Sequence, residues 1–150
     1  MRMELIKYED KYQEGVIAIY KESLGIDREI AINDIKHHFQ SSTSEIFIAV
    51  ENEKVYGVVT VYWQEWNKIG RIGIIGVSKD AQGKGIGKKL IEKVFDFARD
   101  ISLRKIYVDT SVNNKAAQIF YIKTGFYPEH IWKDYYQDGE DGINFAQYVK

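Results

Sequence analysis

The sequence predicts a mixed α/β domain in which a mostly antiparallel sheet of six or seven strands carries helices on both faces. Three observations predict it. The elements read in the order β-α-α-β-β-β-α-β-α-β-β, an antiparallel meander joined to a strand-helix-strand crossover. The length of 150 residues, 45% of them hydrophobic, suits a single domain spanning residues 1–150. No repeat, low-complexity tract or Pro/Ser-rich linker divides the chain.

Residues 3–7 make an edge strand. Asp10, followed three residues later by Gln13, resembles a capping box for a helix that carries Val16, Ile17, Ile19 and Tyr20 and stops at Gly25. A second helix places Ile30, Ile32, Ile35 and Phe39 on or near one face and ends in the polar stretch at 41–44. Residues 46–50 and 55–63, rich in β-branched and aromatic side chains, form a hairpin around a four-residue polar loop at 51–54. After a polar loop at 64–68, residues 71–77 add a third strand. Gly73 and Gly76 are costly inside it and signal a bulge or a close backbone approach. Residues 86–99 carry a helical apolar stripe of Ile86, Leu90, Ile91, Val94, Phe95 and Ala98, with Lys88, Lys89, Glu92, Lys93 and Asp96 on the other face. Residues 105–110 alternate as a strand, 114–123 read as a helix closed by Gly125, and two last strands flank a turn at 137–142.

Composition excludes several chemistries. With no cysteine there is no disulfide framework, no thiolate nucleophile and no cysteine-based metal site. A formal net charge of −1, from 21 basic and 22 acidic residues, argues against a chain built to neutralise nucleic acid. No apolar run approaches the roughly 20 residues of a membrane span, and Glu4 interrupts any secretory core at the start, so the expected setting is cytoplasmic, away from membranes. His37 and His38 are adjacent on a helix and project about 100° apart, which reads as a solvated pair and not a metal site; no metal is expected. His130 carries no evident role.

The stretch Gly76-Val77-Ser78-Lys79-Asp80-Ala81-Gln82-Gly83-Lys84-Gly85-Ile86-Gly87-Lys88-Lys89 joins a strand to a helix through alternate glycines. Such a loop lets several main-chain N–H groups point together at a helix start, where the macrodipole also favours an anion. Lys84, Lys88 and Lys89 add charge at the rim, and the absent side chains of Gly83, Gly85 and Gly87 let phosphate oxygens touch main chain. A Walker loop fails, because Gln82 and Lys89 stand where it needs Gly and Ser or Thr. A dinucleotide fingerprint fails on its glycine spacing.

The pattern Gln-x-x-Gly-x-Gly is present as Gln82, Gly85 and Gly87, and Asn114, Ala117, Tyr121, Gly125 and Phe126 supply a second pattern, Asn-x-x-Ala-x-x-x-Tyr-x-x-x-Gly-Phe, about 30 residues on. With these two motifs the sequence resembles the GNAT superfamily of acyl-coenzyme-A-dependent N-acyltransferases, from about residue 46 to the C-terminus. Residues 134–141 also look like the final hairpin of many members.

The resemblance implies an acetyltransferase that uses acetyl-CoA as cosubstrate. The strand ending at Val77 would splay from its parallel neighbour, so that the backbone of Ile75 and Val77 holds the thioester arm by β-augmentation. The N–H groups of Gln82, Gly83, Lys84, Gly85, Ile86, Gly87 and Lys88 would take the pyrophosphate, one of them or the Val77 N–H polarising the thioester carbonyl. Asn114 would bond the pantetheine arm, or else cap its helix. Tyr121 would be the general acid that protonates the leaving thiolate, its alternative being an aromatic core position.

Many members carry a glutamate on the strand before the loop, where this chain has Arg71, Gly73 and Ile75. The candidate bases are Glu65, Asp109 or a water relayed by backbone carbonyls. The acceptor, a protein N-terminus, a lysine or a small amine, is expected between the first two helices and the loops at 64–68 and 137–142, with Trp63, Trp66 and Tyr136 as walls and Glu65, Asp138, Glu140 and Asp141 drawing the cation. A non-catalytic acyl-CoA sensor is the alternative, and a homodimer stays open.

Overall fold

The computed structural model describes residues 2–150. Seven strands form one sheet in the order β1-β2-β3-β4-β5-β7-β6: β1 (Glu4–Lys7), β2 (Ser44–Glu51), β3 (Lys54–Gln64), β4 (Ile69–Val77), β5 (Lys105–Ser111), β6 (Tyr127–Trp132) and β7 (Gly142–Tyr148). Every neighbouring pair is antiparallel except β4 and β5. The helices are α1 (Gln13–Leu24), α2 (Arg28–Gln40), α3 (Ile86–Asp100) and α4 (Lys115–Lys123).

Strand alternation divides the core between the two faces. Phe47 and Ala49 of β2 join Val59, Val61, Ile72, Ile106, Val108 and Phe145 under α3, whose Ile86, Leu90, Ile91, Val94, Phe95 and Ala98 are all buried. Ile46, Ile48 and Val50 face the other way, with Val58, against Val16, Ile17, Ile19 and Tyr20 of α1 and Ala31 and Ile35 of α2. A strand covered on both faces reads as an unbroken apolar run, as residues 46–50 do. Each large side chain so buried contributes about 1.5–3 kcal/mol.

Three local expectations need correction. The Asp10–Gln13 capping box does not form: Asp10 opens a short 3-10 turn, Asp10–Tyr12, and α1 starts at Gln13 with no side-chain cap bond. Burial of the Tyr8 and Tyr12 rings in the α1–α2 core sets the path of the chain there. The α2 face is also different. Ala31, Ile35 and His38 are buried, whereas Ile30 is 63% and Phe39 50% exposed. The small Ala31 lets the helix approach the sheet, and Phe39 instead packs edge-on to Tyr8 with ring centroids 5.3 Å apart. The β2–β3 connection is a two-residue turn, because Asn52 (φ 50°) and Glu53 (φ 63°) are both left-handed and Glu51 pairs with Lys54. That geometry matches the twist of the flanking strands.

Other expectations hold. Gly25, at φ 67°, closes α1 with its N–H on Lys21 O at 3.0 Å. The bulge lies at Gly73: Val59 pairs with Ile75 and Val61 with Ile72, so β4 has Gly73 and Ile74 where β3 has Thr60 alone. A Cβ at Gly73 would stand 2.6 Å from Thr60 Oγ1, which accepts the Ile74 N–H at 3.0 Å. Among the described residues no helix is long and apolar enough to cross a membrane. Replacing Gly73 with Ala must displace Thr60 and is expected to cost about 1–3 kcal/mol. Urea unfolding measures it, and an unchanged midpoint would show that the bulge relaxes freely.

Candidate active site

The β4–β5 ladder is short. Ile69, Gly70 and Arg71 pair with Lys105, Ile106 and Tyr107, and the pairing ends there. Beyond Arg71, β4 follows β3 as far as Val77 paired with Gly57, while β5 follows β7 as far as Ser111 paired with Gly142. The bulge adds twist to β4 just past the fork. A gap therefore opens toward the C-terminal ends of two parallel strands, the end at which open sheets hold ligands. The edge of β4 that faces this gap has no strand partner there, which suits an extended arm bearing amide groups.

The glycine loop closes the wide end of the gap. Gly83 (φ 78°) and Gly85 (φ 80°) are left-handed, and a Cβ on either would meet nothing within 4 Å. Gly85 caps α3, whose first main-chain bond runs from Lys89 N–H to Gly85 O at 3.1 Å. The N–H groups of Ile86, Gly87 and Lys88 are therefore unused by the helix and lie at its positive end. Lys84, Lys88 and Lys89 are exposed beside them. Gly87 differs from the other two glycines: a Cβ there would come within 3.0 Å of the Phe120 ring, so its bareness brings α3 against α4. Ile75 and Val77 are half-buried, their side chains on the α3 core. The Val77 carbonyl accepts from Ser23 Oγ at 2.6 Å. Room before the glycines, free N–H groups and an unpaired strand edge fit a pyrophosphate at the end of a pantetheine-like arm.

Asn114 caps α4, its Oδ1 accepting from Ala117 N–H at 3.0 Å. Tyr121 lies on the same helix, packed against Phe120, Phe126 and Phe145 with centroids 5.4–5.8 Å apart. Burial, and next the nearby Tyr136, push its phenol above the usual tyrosine range, so it stays protonated. An open cleft of about 620 Å³ at the start of α4 is lined by Thr110, Ser111, Asn114, Tyr136, Gln137, Asp138 and Glu140; Tyr121 is not one of its walls. Ser111 Oγ donates to Glu140 at 3.0 Å, and Asn113 Nδ2 bonds the same carboxylate.

The structure separates the other expected site residues. Glu65 accepts from Trp63 Nε1 at 2.7 Å and Lys68 Nζ at 2.6 Å. Its loop is tied to the start of β5 by Arg104, bonded to Lys68 O at 2.7 Å and Asn67 O at 2.8 Å. That is the end of β4 away from the glycine loop. Trp63 packs on Phe97 of α3 at 5.4 Å, and Trp66 is exposed, so neither walls the cleft. Asp109 stands in the fork itself. Its side chain, 3% exposed, meets Arg71 Nη2 at 2.5 Å and accepts from Trp132 Nε1 at 2.9 Å and Asn144 Nδ2 at 3.0 Å, with the Tyr135 hydroxyl at 3.4 Å. Arg71 also donates to the Tyr135 hydroxyl at 2.8 Å and lies over the Tyr62 and Tyr107 rings.

The solvated histidine pair is corrected as well. His38 is 6% exposed, with Nδ1 on Ser44 Oγ and Nε2 3.4 Å from Asp34 Oδ1. The Tyr20 hydroxyl donates to Asp34 Oδ2 at 2.7 Å. Burial raises the Asp34 pKa, but the bonds from His38 and Tyr20 outweigh it and leave that carboxyl below its usual range. The signal for His38 was its spacing from Ala31 and Ile35, which completes one helical stripe. Among the described residues no group of three or more His, Asp or Glu is set to hold a metal.

The family described as Acetyltransferase (GNAT) family matches residues 10–126. N-alpha-acetyltransferase 30 of Schizosaccharomyces pombe is 28% identical over 106 residues, covering 68% of this chain and 70% of that protein. The ribosomal-protein-S18-alanine N-acetyltransferase of Escherichia coli shares the fold with a TM-score of 0.85 at 20% identity, over 99% of this chain and 95% of that one. A Bacillus anthracis acetyltransferase solved in complex with acetyl coenzyme A has a TM-score of 0.69 at 25% identity, over 77% of this chain and 68% of that one. Because the family match runs unbroken from before α1, through the fork and the glycine loop, to the end of the second motif, this chain belongs to the GNAT family of acetyltransferases.

Proposed function

We infer that the protein moves the acetyl group of acetyl-CoA directly to a primary amine within a ternary complex. The observation that carries this reading is the fork between β4 and β5, with the open glycine loop at its wide end and the Asn114–Tyr136 cleft beside it. Acetyl-CoA supplies the acetyl as a thioester. With no cysteine in the chain, an acyl-cysteine route is closed and the amine itself is the nucleophile.

The N–H groups from Gln82 to Lys88 hold the pyrophosphate, and the free edge of β4 at Ile75 and Val77 holds the arm. Asn114 turns its remaining amide group toward that arm while its Oδ1 caps α4. Tyr121 delivers a proton to the departing sulfur. Asp109 is read as an anchor and not as the base, because its oxygens already meet four donors. It fixes Arg71, Trp132 and Tyr135 as the wall of the acceptor side.

The acceptor we favour is the α-amine of a peptide. An open cleft with Asp138 and Glu140 on its rim suits a cationic chain end, and the Schizosaccharomyces pombe relative is named as an N-alpha-acetyltransferase. The setting we assign is the cytoplasm, in keeping with a cysteine-free chain. If the protein forms a homodimer, the exposed strand β6, with Tyr127, Ile131 and Trp132, is the surface to examine by sedimentation.

Four measurements follow from these roles. Acetyl-CoA at 100 times its dissociation constant is expected to add about 2.7 kcal/mol of stability in a thermal shift. Thiol release with a peptide bearing a free N-terminus is expected to exceed that with N-blocked peptide, lysine, a polyamine or an aminoglycoside; binding without release from any amine would support a sensor. Tyr121→Phe is expected to lower turnover by about a hundredfold or more with the Kd for acetyl-CoA unchanged, and undiminished turnover would remove the acid role. Asp109→Ala, which strands the Arg71 charge, is expected to cost on the order of 3 kcal/mol. Urea unfolding reads that loss.

A further inference from the structure

Alternation along β4 decides which of its main-chain groups reach the gap. Ser78 N–H donates to Tyr56 O at 2.8 Å, and Val77 stands opposite Gly57, so Val77 and Gly57 form a non-hydrogen-bonded pair and Val77 turns its N–H and C=O away from β3. No strand meets them there, because the pairing with β5 ends at Arg71. The carbonyl is nonetheless engaged. Ser23 Oγ, in the last turn of α1, donates to Val77 O at 2.6 Å, and Gln82 Nε2 reaches the same oxygen at 3.4 Å.

Gly76 is what lets the serine approach. A Cβ at Gly76 would stand 3.1 Å from Ile19 Cγ2, 3.5 Å from Ser23 Cβ and 3.7 Å from Leu24 Cδ1, so a side chain would fit only if the end of α1 gave way. The bare residue brings that end down onto the strand from the α1–α2 face, the face on which the acceptor is expected. Ser23 is half-buried and Leu24 beside it is exposed, so an incoming group can meet the hydroxyl.

A serine hydroxyl has one proton and two lone pairs. The proton goes to Val77 O, and among the described residues no donor bonds the Ser23 oxygen in return. Ser23 therefore presents an acceptor, and not a donor, beside the edge of β4. A nitrogen that attacks a thioester does so as the neutral amine, and its N–H groups need acceptors once they have left water.

We propose that Ser23 positions the attacking amine by accepting one of its N–H groups, while the Ser23 proton stays on the Val77 carbonyl. The proposal rests on the acetyltransferase reading and supplies a residue for the nucleophile's side of it. The contact sets the nitrogen beside the strand residue whose N–H faces the thioester carbonyl, so that its lone pair is aimed at the acyl carbon. Ser23 takes no proton. As the N–C bond forms, the amine's other proton leaves to water; as the C–S bond breaks, the Tyr121 proton passes to sulfur, and solvent restores it. No oxidant or further reactant enters.

Thiol release from saturating acetyl-CoA with an alanine-terminated peptide tests it on the full chain, with the Kd for acetyl-CoA measured separately by calorimetry. Ser23→Ala is expected to lower kcat/KM for the peptide about tenfold, with the Kd for acetyl-CoA within about twofold of wild type. Ser23→Thr, which keeps the hydroxyl, is expected to return kcat/KM to within about twofold of wild type. A folded Ser23→Ala protein with the wild-type kcat/KM overturns the proposal and leaves the enzyme reading standing. So does one whose affinity for acetyl-CoA falls as far as its kcat/KM, because the hydroxyl then serves only to tie α1 to β4. A folded Ser23→Thr protein no better than Ser23→Ala overturns it too. If Ser23→Ala does not melt cooperatively, Ser23→Cys, whose sulfur is a weak acceptor, takes its place under the same criteria. A wild-type protein that releases no thiol with this peptide or any other amine removes the enzyme reading and the proposal together.

Discussion

The constraint on which the rest of the molecule depends is the side-chain bridge across the fork. Arg71 closes the last main-chain pair between β4 and β5, and Asp109 stands two residues farther along β5. Where the ladder stops, this ion pair takes over and fixes how far apart the two strands stand. A buried pair gains little net stability over an apolar replacement. Its value here is geometric, because the bonds from Trp132, Asn144 and Tyr135 saturate the carboxylate and leave one arrangement of the fork. The width of the gap follows from it, and so does the direction of the free β4 edge.

The two sheet faces then divide the chemistry. α3 and the aromatic end of α4 cover one face, and the same packing that buries Ile86 against the half-buried Phe120 side aims the start of α3 at the wide end of the gap. On the other face α1 and α2 cover β2, β3 and the end of β4, leaving Tyr62, Arg71, Tyr107, Trp132 and Tyr135 as an aromatic floor beyond them. On the proposed reading, a coenzyme arm would enter between the strands while the amine would arrive over the floor. Transfer across such a gap needs no covalent way-station, which is consistent with a chain that has no cysteine to offer.

The fold was legible in the sequence wherever a single period dominated. The stripe from Ile86 to Ala98 fixed α3, and the costly Gly73 marked the bulge. Legibility failed where tertiary contacts outweighed local preference. The Asp10–Gln13 spacing looked like a cap, but two tyrosine rings seeking burial reset the start of α1. In α2 the apolar Ile30 and Phe39 pointed to the wrong face, because a small alanine and a satisfied histidine were cheaper to press against the sheet than bulky side chains. At the site, the glycine loop and the α4 residues announced themselves by spacing. The ties that hold Glu65 at the far end of β4, the four donors on Asp109 and the Ser23–Val77 bond depend on residues distant in sequence, and no spacing encodes them.

A buried acid poses one last question. Burial raises the Tyr121 pKa, which by itself makes the phenol a poorer donor, and a free thiol near 8.5 is more acidic than a free phenol near 10. Transfer from Tyr121 to a thiolate would then run uphill in water. Inside the gap the same desolvation acts on the leaving sulfur, whose anion is penalised as strongly as the phenolate. On the proposed reading, what decides the transfer is the difference between the two environments: a sulfur leaving along the free β4 edge would have the apolar Ile75 and Val77 beside it, whereas Tyr121 sits among Phe120, Phe126 and Phe145. The proposed transfer therefore requires that the gap make the thiolate the less tolerable of the two anions as the C–S bond breaks, a condition set by both environments and not by Tyr121 alone. A phenol in an aromatic pocket is suited to that exchange because it does not ionise beforehand.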